Sequence, residues 1–342
     1  MTRVHLHERF PEISPSALPH VRLGTAPSPV RRIEGLTAGG ADVWVKDEGA
    51  YGDGGWGGNK VRKLEWLLPE AQRRGARTVM TFGALGTNHG LATALYARDQ
   101  GLDAAVAVVD QPLDEHVERQ FARLCASGAT VHRTRTKART VVAAPGLVLQ
   151  HTSLVPRRGV RAIVPPYVFP AGGSNPVGVL GTVEAALELA AQVRAGELPE
   201  PSHVVLAVGT GGTAAGFALG FALAGLRTRV HAVIVNDTLR LDERQMLGLA
   251  RRTAALLRRR GADLGPLLLG PGVLGVDTAE LGPGYGYPTQ ACTDAIAVGS
   301  EHGVHLDPVY TGKAMAALRS AGRTGRYGAG PVLLLQTHGP RP

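Results

Sequence analysis

Lysine is scarce in this chain, so any chemistry that needs an amine has a short list of candidates: Lys46, Lys60, Lys63, Lys137 and Lys313. Lys60 stands out by its setting, Gly57-Gly58-Asn59-Lys60-Val61-Arg62-Lys63-Leu64-Glu65. Two glycines remove side chains where a flat ring could lie against the backbone. Lys60 then falls in the first turn of a predicted helix capped by Asn59, where the positive end of the macrodipole disfavours an ammonium ion. Burial in a cleft pushes the same way, towards the neutral amine that a Schiff base requires. A flexible glycine loop before a basic surface helix fits the same letters, and the motif alone leaves both readings open. Lys63, one turn on, reads as a solvated lysine and Lys46, in a strand, as an ion-pair partner. Lys313 is the main rival to Lys60.

Four further turns have residue types that bind or react. Gly209-Thr210-Gly211-Gly212-Thr213 lies between a buried strand and a helix of small residues. Successive N–H groups at a helix N-terminus bind an anion without a basic side chain, and the two threonines add hydroxyls. The same letters fit a dinucleotide-binding Gly-x-Gly-x-x-Ala turn, with Asp237 as a late acidic partner, as in a dinucleotide-dependent oxidoreductase. A tight structural turn is the third reading. Gly83-Ala-Leu-Gly-Thr87-Asn88-His89-Gly90 is another strand-to-helix turn, in which Thr87 or Asn88 serves as N-cap or the helix end holds a carboxylate. His89 reads as a structural histidine or an acid/base. Tyr285 and Tyr310 lie in glycine- and proline-rich turns, as packing tyrosines or as reactive hydroxyls. Thr337 follows the last predicted strand, at the carboxyl edge where open sheets bind ligands.

Positioning these turns requires strands alternating with helices. Strands are predicted at 43–47, 78–82, 104–109, 204–208, 230–235 and 331–336. Helices are predicted at about 59–74, 88–100, 115–127, 177–195, 214–224, 242–260, 290–302 and 313–319. This alternation gives an α/β fold of doubly wound, mostly parallel sheets with helices on both faces. The Gly52–Gly58 cluster and the basic stretch 130–164 read as connections. They set a small inserted α/β domain, 56–164, apart from a large domain made of 1–55 and 165–342.

Composition narrows the class. A chain of 342 residues, 44% hydrophobic and 19% charged, reads as a soluble two-lobed globular protein. No apolar run approaches the ~18 residues of a membrane span. The first residues lack a signal-peptide core. Cys125 and Cys292 are too few and too far apart for a disulfide framework, which favours a cytoplasmic setting. The net charge of +9 comes largely from arginines in scattered pairs, such as Arg31-Arg32, Arg73-Arg74, Arg157-Arg158 and Arg251-Arg252. They read as solvated faces, so neither nucleic acid nor a membrane is expected as a partner.

In chain order, Gly-Gly-Asn-Lys60-Val-Arg-Lys-Leu-Glu, the Asn88-His89 turn, Pro170-Ala-Gly-Gly-Ser-Asn175, the Gly209–Thr213 loop and Leu306-Asp-Pro-Val-Tyr310-Thr-Gly-Lys313 resemble the 1-aminocyclopropane-1-carboxylate deaminase and D-cysteine desulfhydrase family. The likeness runs from about Leu18 to Gly339 and is weakest over 130–164. It implies a two-lobed tryptophan synthase β-like fold, fold type II of the pyridoxal-phosphate enzymes. The cofactor would be pyridoxal 5'-phosphate, held as a Schiff base by Lys60, which then serves as the α-proton base. Asn59 would stand beside it, with Gly209, Thr210, Gly211, Gly212 and Thr213 around the phosphate. Asn88 would meet the ring oxygen and Thr337 the ring nitrogen. Thr87, Asn88, His89, Gly90, Tyr285 and Tyr310 would face the substrate, with Thr87 and both tyrosines taking part in catalysis.

The activity implied is that of a carbon–sulfur or carbon–nitrogen lyase on a small amino acid, desulfhydrase-like. A β-replacement synthase and a deaminase-like enzyme are the alternatives. A homodimer is expected by analogy. Thr311 stands where the deaminases carry glutamate, which favours the desulfhydrase branch. The sequence departs from the family pattern at Thr87 for serine, at Gly284 for glutamate and at Gln336-Thr-His-Gly for His-Thr-Gly-Gly.

Overall fold

Buried aliphatic strands, each leading into a helix that covers one face, build two parallel sheets whose carboxyl ends look into one cleft. The structure is a computed structural model and describes residues 4–52, 58–157 and 160–337. Gly57, Arg158, His338 and Gly339, used in the sequence reading, lie outside the described residues. The elements begin with α1 (His5–Arg9), β1 (Val30–Ala38), β2 (Ala41–Asp47), α2 (Asn59–Arg73), β3 (Thr78–Ala84), α3 (Asn88–Asp99), β4 (Asp103–Val109), α4 (Glu115–Ala126), β5 (Thr130–Arg135) and α5 (Lys137–Gln150). There follow β6 (Ser153–Arg157), β7 (Val160–Val164), β8 (Tyr167–Val168), α6 (Pro176–Arg194), β9 (His203–Val208), α7 (Gly212–Ala224) and β10 (Arg229–Ile234). The chain continues with α8 (Glu243–Arg259), β11 (Leu274–Asp277), α9 (Gln290–Glu301), α10 (Thr311–Arg323) and β12 (Val332–Gln336).

The larger sheet has the order β1-β2-β12-β9-β10-β11 and is parallel except for the β1–β2 pair. The smaller sheet, β5-β4-β3-β8, is parallel throughout, and β6–β7 forms a separate antiparallel hairpin. β9 and β12 read as apolar runs because helices cover both faces of their sheet. One face packs on α6, α7 and α8, the other on α10 and Ala295 of α9. The doubly wound α/β architecture expected from the sequence is therefore present. The basic stretch 130–164, expected to be a connection, instead folds into β5, α5 and the hairpin. Its helical periodicity is blurred because α5 is apolar on its exposed side, at Val141, Val142 and Leu149, as well as on its half-buried side, at Leu147 and Val148. The arginines at 31, 32, 73, 74, 251 and 252 are exposed, as expected. One helix, α6, is long and apolar enough to cross a membrane, but 83% of that window is buried inside the protein, as in a core helix.

Two features fix α2, the helix that carries Lys60. Glycines let helices approach closely: a Cβ at Gly181 of α6 would stand 1.9 Å from the carbonyl oxygen of Arg62. The second is a buried ion cluster. Arg62 donates to Glu48 (2.5 and 2.9 Å) and Glu188 (2.8 and 3.1 Å), and Lys46 donates to Glu188 at 2.7 Å. Lys46 is thus the ion-pair partner the sequence suggested. Two cations and two anions, all nearly inaccessible to water, close a neutral set that Ser28 and Gln192 complete. Removing one member of such a set leaves a buried charge unpaired.

Arg62→Met is expected to lower unfolding free energy by about 3–5 kcal/mol, measured by urea titration. Burial alone pushes the Glu188 carboxyl up, but Arg62 and Lys46 together hold it below its ordinary 4.5. Its contribution to stability is therefore present above pH 4.5 and is lost as pH falls below that value. Wild type should lose stability over that range more steeply than Glu188→Gln, which lacks the titrating group.

Candidate active site

A cavity of about 620 Å³ opens where the carboxyl ends of the two parallel sheets face each other. Turns after β3, β4, β9, β10 and β12 line it, together with the start of α2. Lys60 lies there as the second residue of α2, its Nζ donating to Asn59 Oδ1 at 3.0 Å. Burial pushes its pKa down to about 8, and the Asp307 carboxylate pulls part of the way back. Gly58, with φ of 99°, occupies the N-cap position and brings no side-chain cap. Asn59 is therefore not the cap expected from its type. It is already inside the helix, and its Nδ2 donates to Thr213 Oγ1 at 3.0 Å.

Thr210, Gly209, Gly211 and Thr213 line the cavity at the start of α7. Gly211 takes the left-handed conformation at the N-cap, again without a side-chain cap, so the first N–H groups of α7 are free of capping partners. Gly212 does not line the cavity: a Cβ there would meet Ser174 Oγ at 2.5 Å and Lys63 Nζ at 2.7 Å. Lys63 is thus placed behind the loop and is buried, not solvated as its basic surroundings suggested. Its Nζ donates to the Gly172 carbonyl at 2.9 Å and to Ser174 Oγ at 3.4 Å. Burial, then the nearby Lys60, hold its pKa well below 10.5. Three residues separate it from Lys60, the spacing that puts two side chains on one helix face, and that signal was legible in the sequence.

The turn after β3 presents Thr87, Asn88 and His89 to the cavity. Thr87 is the N-cap of α3 and accepts the Gly90 N–H at 3.1 Å. Gly90, expected at the substrate, does not reach the cavity, and its N–H is taken up by that cap. The Thr87 methyl turns towards Gly90, where a Cβ would meet it at 2.4 Å. Asn88 Oδ1 accepts from Gln120 at 2.7 Å, which leaves the amide NH2 end as a donor. His89 is buried, and neither ring nitrogen has a partner among the described residues. Burial, Lys63 and Lys60 hold its pKa well below 6.5, so it stays neutral.

Opposite Lys60's loop, the Tyr285 and Tyr310 hydroxyls meet at 2.8 Å. Burial raises both their pKa values, so both remain protonated. Tyr310 packs its ring over Gly209, where a Cβ would come within 3.0 Å. Asp307 shapes this turn by accepting the N–H groups of Val309, Tyr310 and Thr311 and the Thr311 hydroxyl. Thr337 lines the cavity, and its carbonyl accepts the Asn59 N–H at 3.1 Å. Lys313 is not among the lining residues; it is buried with its Nζ on the Leu281 carbonyl at 2.8 Å. The sequence reading missed Ser174, Gln120 and Asn236, whose Nδ2 holds the Gly209 carbonyl at 2.8 Å.

Comparison with known proteins agrees with this geometry. Residues 21–337 match the family model described as pyridoxal-phosphate dependent enzyme. The D-cysteine desulfhydrase of Salmonella paratyphi A is 32% identical over 325 residues, 94% of each chain, and that of Salmonella newport is equally similar. Among solved structures, an ACC deaminase homologue superimposes with a TM-score of 0.77 at 28% identity, covering 99% of this chain and 95% of its own. A hydrogen sulfide-producing enzyme from Fusobacterium nucleatum shares the fold with a TM-score of 0.60 at 14% identity, covering 93% of this chain and 94% of its own.

The low pKa of Lys60 predicts selective labelling. Reductive methylation followed by peptide mass spectrometry should modify Lys60 with a midpoint near pH 8, below the 10.5 of an ordinary lysine. Asp307→Asn removes the group that raises this pKa and should shift the midpoint lower.

Proposed function

The chain belongs to the pyridoxal-phosphate dependent enzymes, and on that footing we propose that it is a lyase that eliminates the β-substituent of a small amino acid, as the D-cysteine desulfhydrases of Salmonella do by name. The observation that carries this reading is the meeting, in one cavity, of a low-pKa amine at Lys60 with a protonated tyrosine pair and an uncapped helix end.

The residues present fit the cofactor. The first turn of α7 offers N–H groups without capping partners, at the place where Gly209, Thr210, Gly211 and Thr213 line the cavity. Lys63 behind the loop, Ser174 and Thr210 add donors, the two hydroxyls sharing a 2.7 Å hydrogen bond. A phosphate dianion would favour the charged form of Lys63, which burial otherwise disfavours. Asn88 would donate to the ring oxygen through its NH2, since its carbonyl is engaged by Gln120. The Thr337 hydroxyl would meet the ring nitrogen, and Lys60 would carry the covalent bond. When bound, the cofactor supplies an electron sink that makes the α-proton of an amino acid removable.

The rest is done by the chain. The N–H groups of Asn88 and His89 precede the first backbone bond of α3, from Leu91 to Thr87 at 3.1 Å, and are placed to hold a substrate carboxylate. Lys60 takes the α-proton at Nζ, a task for which a pKa near 8 suits neutral pH better than 10.5. Tyr285 and Tyr310 keep their protons and donate at the leaving group, one hydroxyl bonding the other. His89, neutral and buried, adds no charge to the cavity.

The finer setting is proposed on separate grounds. Two free cysteines are consistent with a reducing cytoplasm. Exposed Val141, Val142 and Leu149 on α5, with Leu154 and Ile163 on the hairpin, supply apolar surface for a homodimer. A large unit made of 1–55 and 165–342 with an inserted 56–164 is kept as the proposed division, with β8 at 167–168 joining the smaller sheet from just beyond it.

Lys60→Ala is expected to lose the visible absorbance of the bound cofactor and its trapping by borohydride. Tyr285→Phe should keep both while lowering kcat by about 10²–10⁴, measured as pyruvate release from D-cysteine. A wild-type protein that stays colourless with added cofactor would overturn the proposal.

A further inference from the structure

We infer that the rim of the cavity recognises a second amino-acid head, so that the favoured substrate is a thioether or disulfide of cysteine whose far end carries both an ammonium and a carboxylate. This rests on the elimination reading above and goes further, to the class of substrate.

Three charged side chains line the outer cavity: Asp110, Asp237 and Lys137. Asp110 is engaged by Arg133 at 2.7 Å. Asp237, just beyond β10, accepts the Tyr285 N–H on Oδ1 at 3.1 Å, and no ion pair within 4.0 Å includes it among the described residues. Its Oδ2 stands 3.0 Å from where a Cβ of Gly284 would be. Gly284 has φ of +136°, a conformation that side-chain-bearing residues rarely adopt, so the backbone here keeps the carboxylate uncovered. The family resemblance places a glutamate at this position. Here the carboxylate reaches the same spot from Asp237 instead.

Lys137, the first residue of α5, comes from the other side of the cleft and donates to the carbonyl of Thr238, next to Asp237. A positive and a negative group thus stand side by side at the rim, each without an opposite charge within 4.0 Å among the described residues. A cationic tail there meets one attraction and one repulsion, and so does an anionic tail. A zwitterionic tail satisfies both. The inner end of the cavity, with Lys60, the start of α3 and the tyrosine pair, takes the first head.

The reaction balances. The α-proton goes to Lys60, the Cβ–S bond breaks with its electron pair on sulfur, and Lys60 hands its proton on to that sulfur, so the thiol leaves protonated and the amine is neutral again. For lanthionine, water then completes conversion to pyruvate, ammonia and cysteine. Both rim side chains are exposed, so each contact is worth at most about fivefold in kcat/KM.

The test uses the holoenzyme with four cysteine thioethers in each α-configuration: lanthionine, S-(2-aminoethyl)cysteine, S-(2-carboxyethyl)cysteine and S-propylcysteine. Pyruvate is measured. Lanthionine should have the highest kcat/KM, chiefly through KM. In Asp237→Asn the lanthionine and aminoethyl values should fall about two- to fivefold relative to S-propylcysteine. In Lys137→Gln the lanthionine and carboxyethyl values should fall likewise. Equal use of all four tails, or both variants keeping the wild-type order, overturns the inference while leaving elimination intact. Pyruvate from neither cysteine nor any thioether, with cofactor bound, overturns the elimination reading and this inference together.

Discussion

Arg62 is the residue on which the placement of the active-site helix depends. It lies two positions after Lys60, so the two side chains leave α2 on opposite sides. Lys60 and Lys63 share the face that meets the cavity loops, while Arg62 points into the core and engages Glu48 and Glu188. Those acids belong to the turn after β2 and to α6, so one guanidinium ties the nucleophile's helix to the large sheet and to its longest covering helix. A planar fork with several fixed donors suits this task, because it satisfies two carboxylates at once and leaves little freedom of rotation. The close α2–α6 crossing at Gly181 gives the same result through packing.

Charge is handled in opposite ways on the two sides of α2. In the core, every cation has an anion and the set is neutral. Lys60 and His89 at the cavity and Lys63 behind the loop gather with no carboxylate in contact among the described residues; burial pushes all three towards their neutral forms, and neighbouring lysines add to it at Lys63 and His89. The nearest compensating influence, Asp307, is engaged by backbone N–H groups that shape the tyrosine turn. Such a cavity is short of negative charge, and a phosphate dianion supplies it. The same shortage leaves Lys60 without an anion to hold it charged, whereas the tyrosines are kept protonated by burial, with Asp307 adding to it.

Much of the site was legible residue by residue, and the errors have local causes. Lys60 could be singled out because glycines and a helix start surround it. Lys63 was misread because basic neighbours suggested solvent, although its three-residue spacing from Lys60 put it on the cavity face. Asn59 was misread as a cap because its residue type favours capping; the positive-φ Gly58 takes that position and frees the amide to reach Thr213. Gly90 looked like an open helix end, yet the Thr87 hydroxyl closes it. The stretch 130–164 gave no clear pattern because α5 is apolar on both sides: half-buried Ala143, Ala144, Leu147 and Val148 face the smaller sheet while Val141, Val142 and Leu149 are exposed.

By itself, the sequence determined what depends on short range: the alternation of strands and helices, the glycine turns able to bind an anion, and the amine best suited to a Schiff base. These follow from local propensity and spacing, which a chain carries wherever it folds. Tertiary structure alone decided that Lys60, the loop at 209–213, the tyrosines at 285 and 310 and Thr337 share one cavity. It also decided that Lys313 turns away and that Lys137 reaches across the rim to the Thr238 carbonyl, next to Asp237. The reason is that parallel strands, joined by long helical crossovers, bring their carboxyl ends together at one edge. Which distant turns then become neighbours is set by strand order, and strand order leaves no mark in local spacing.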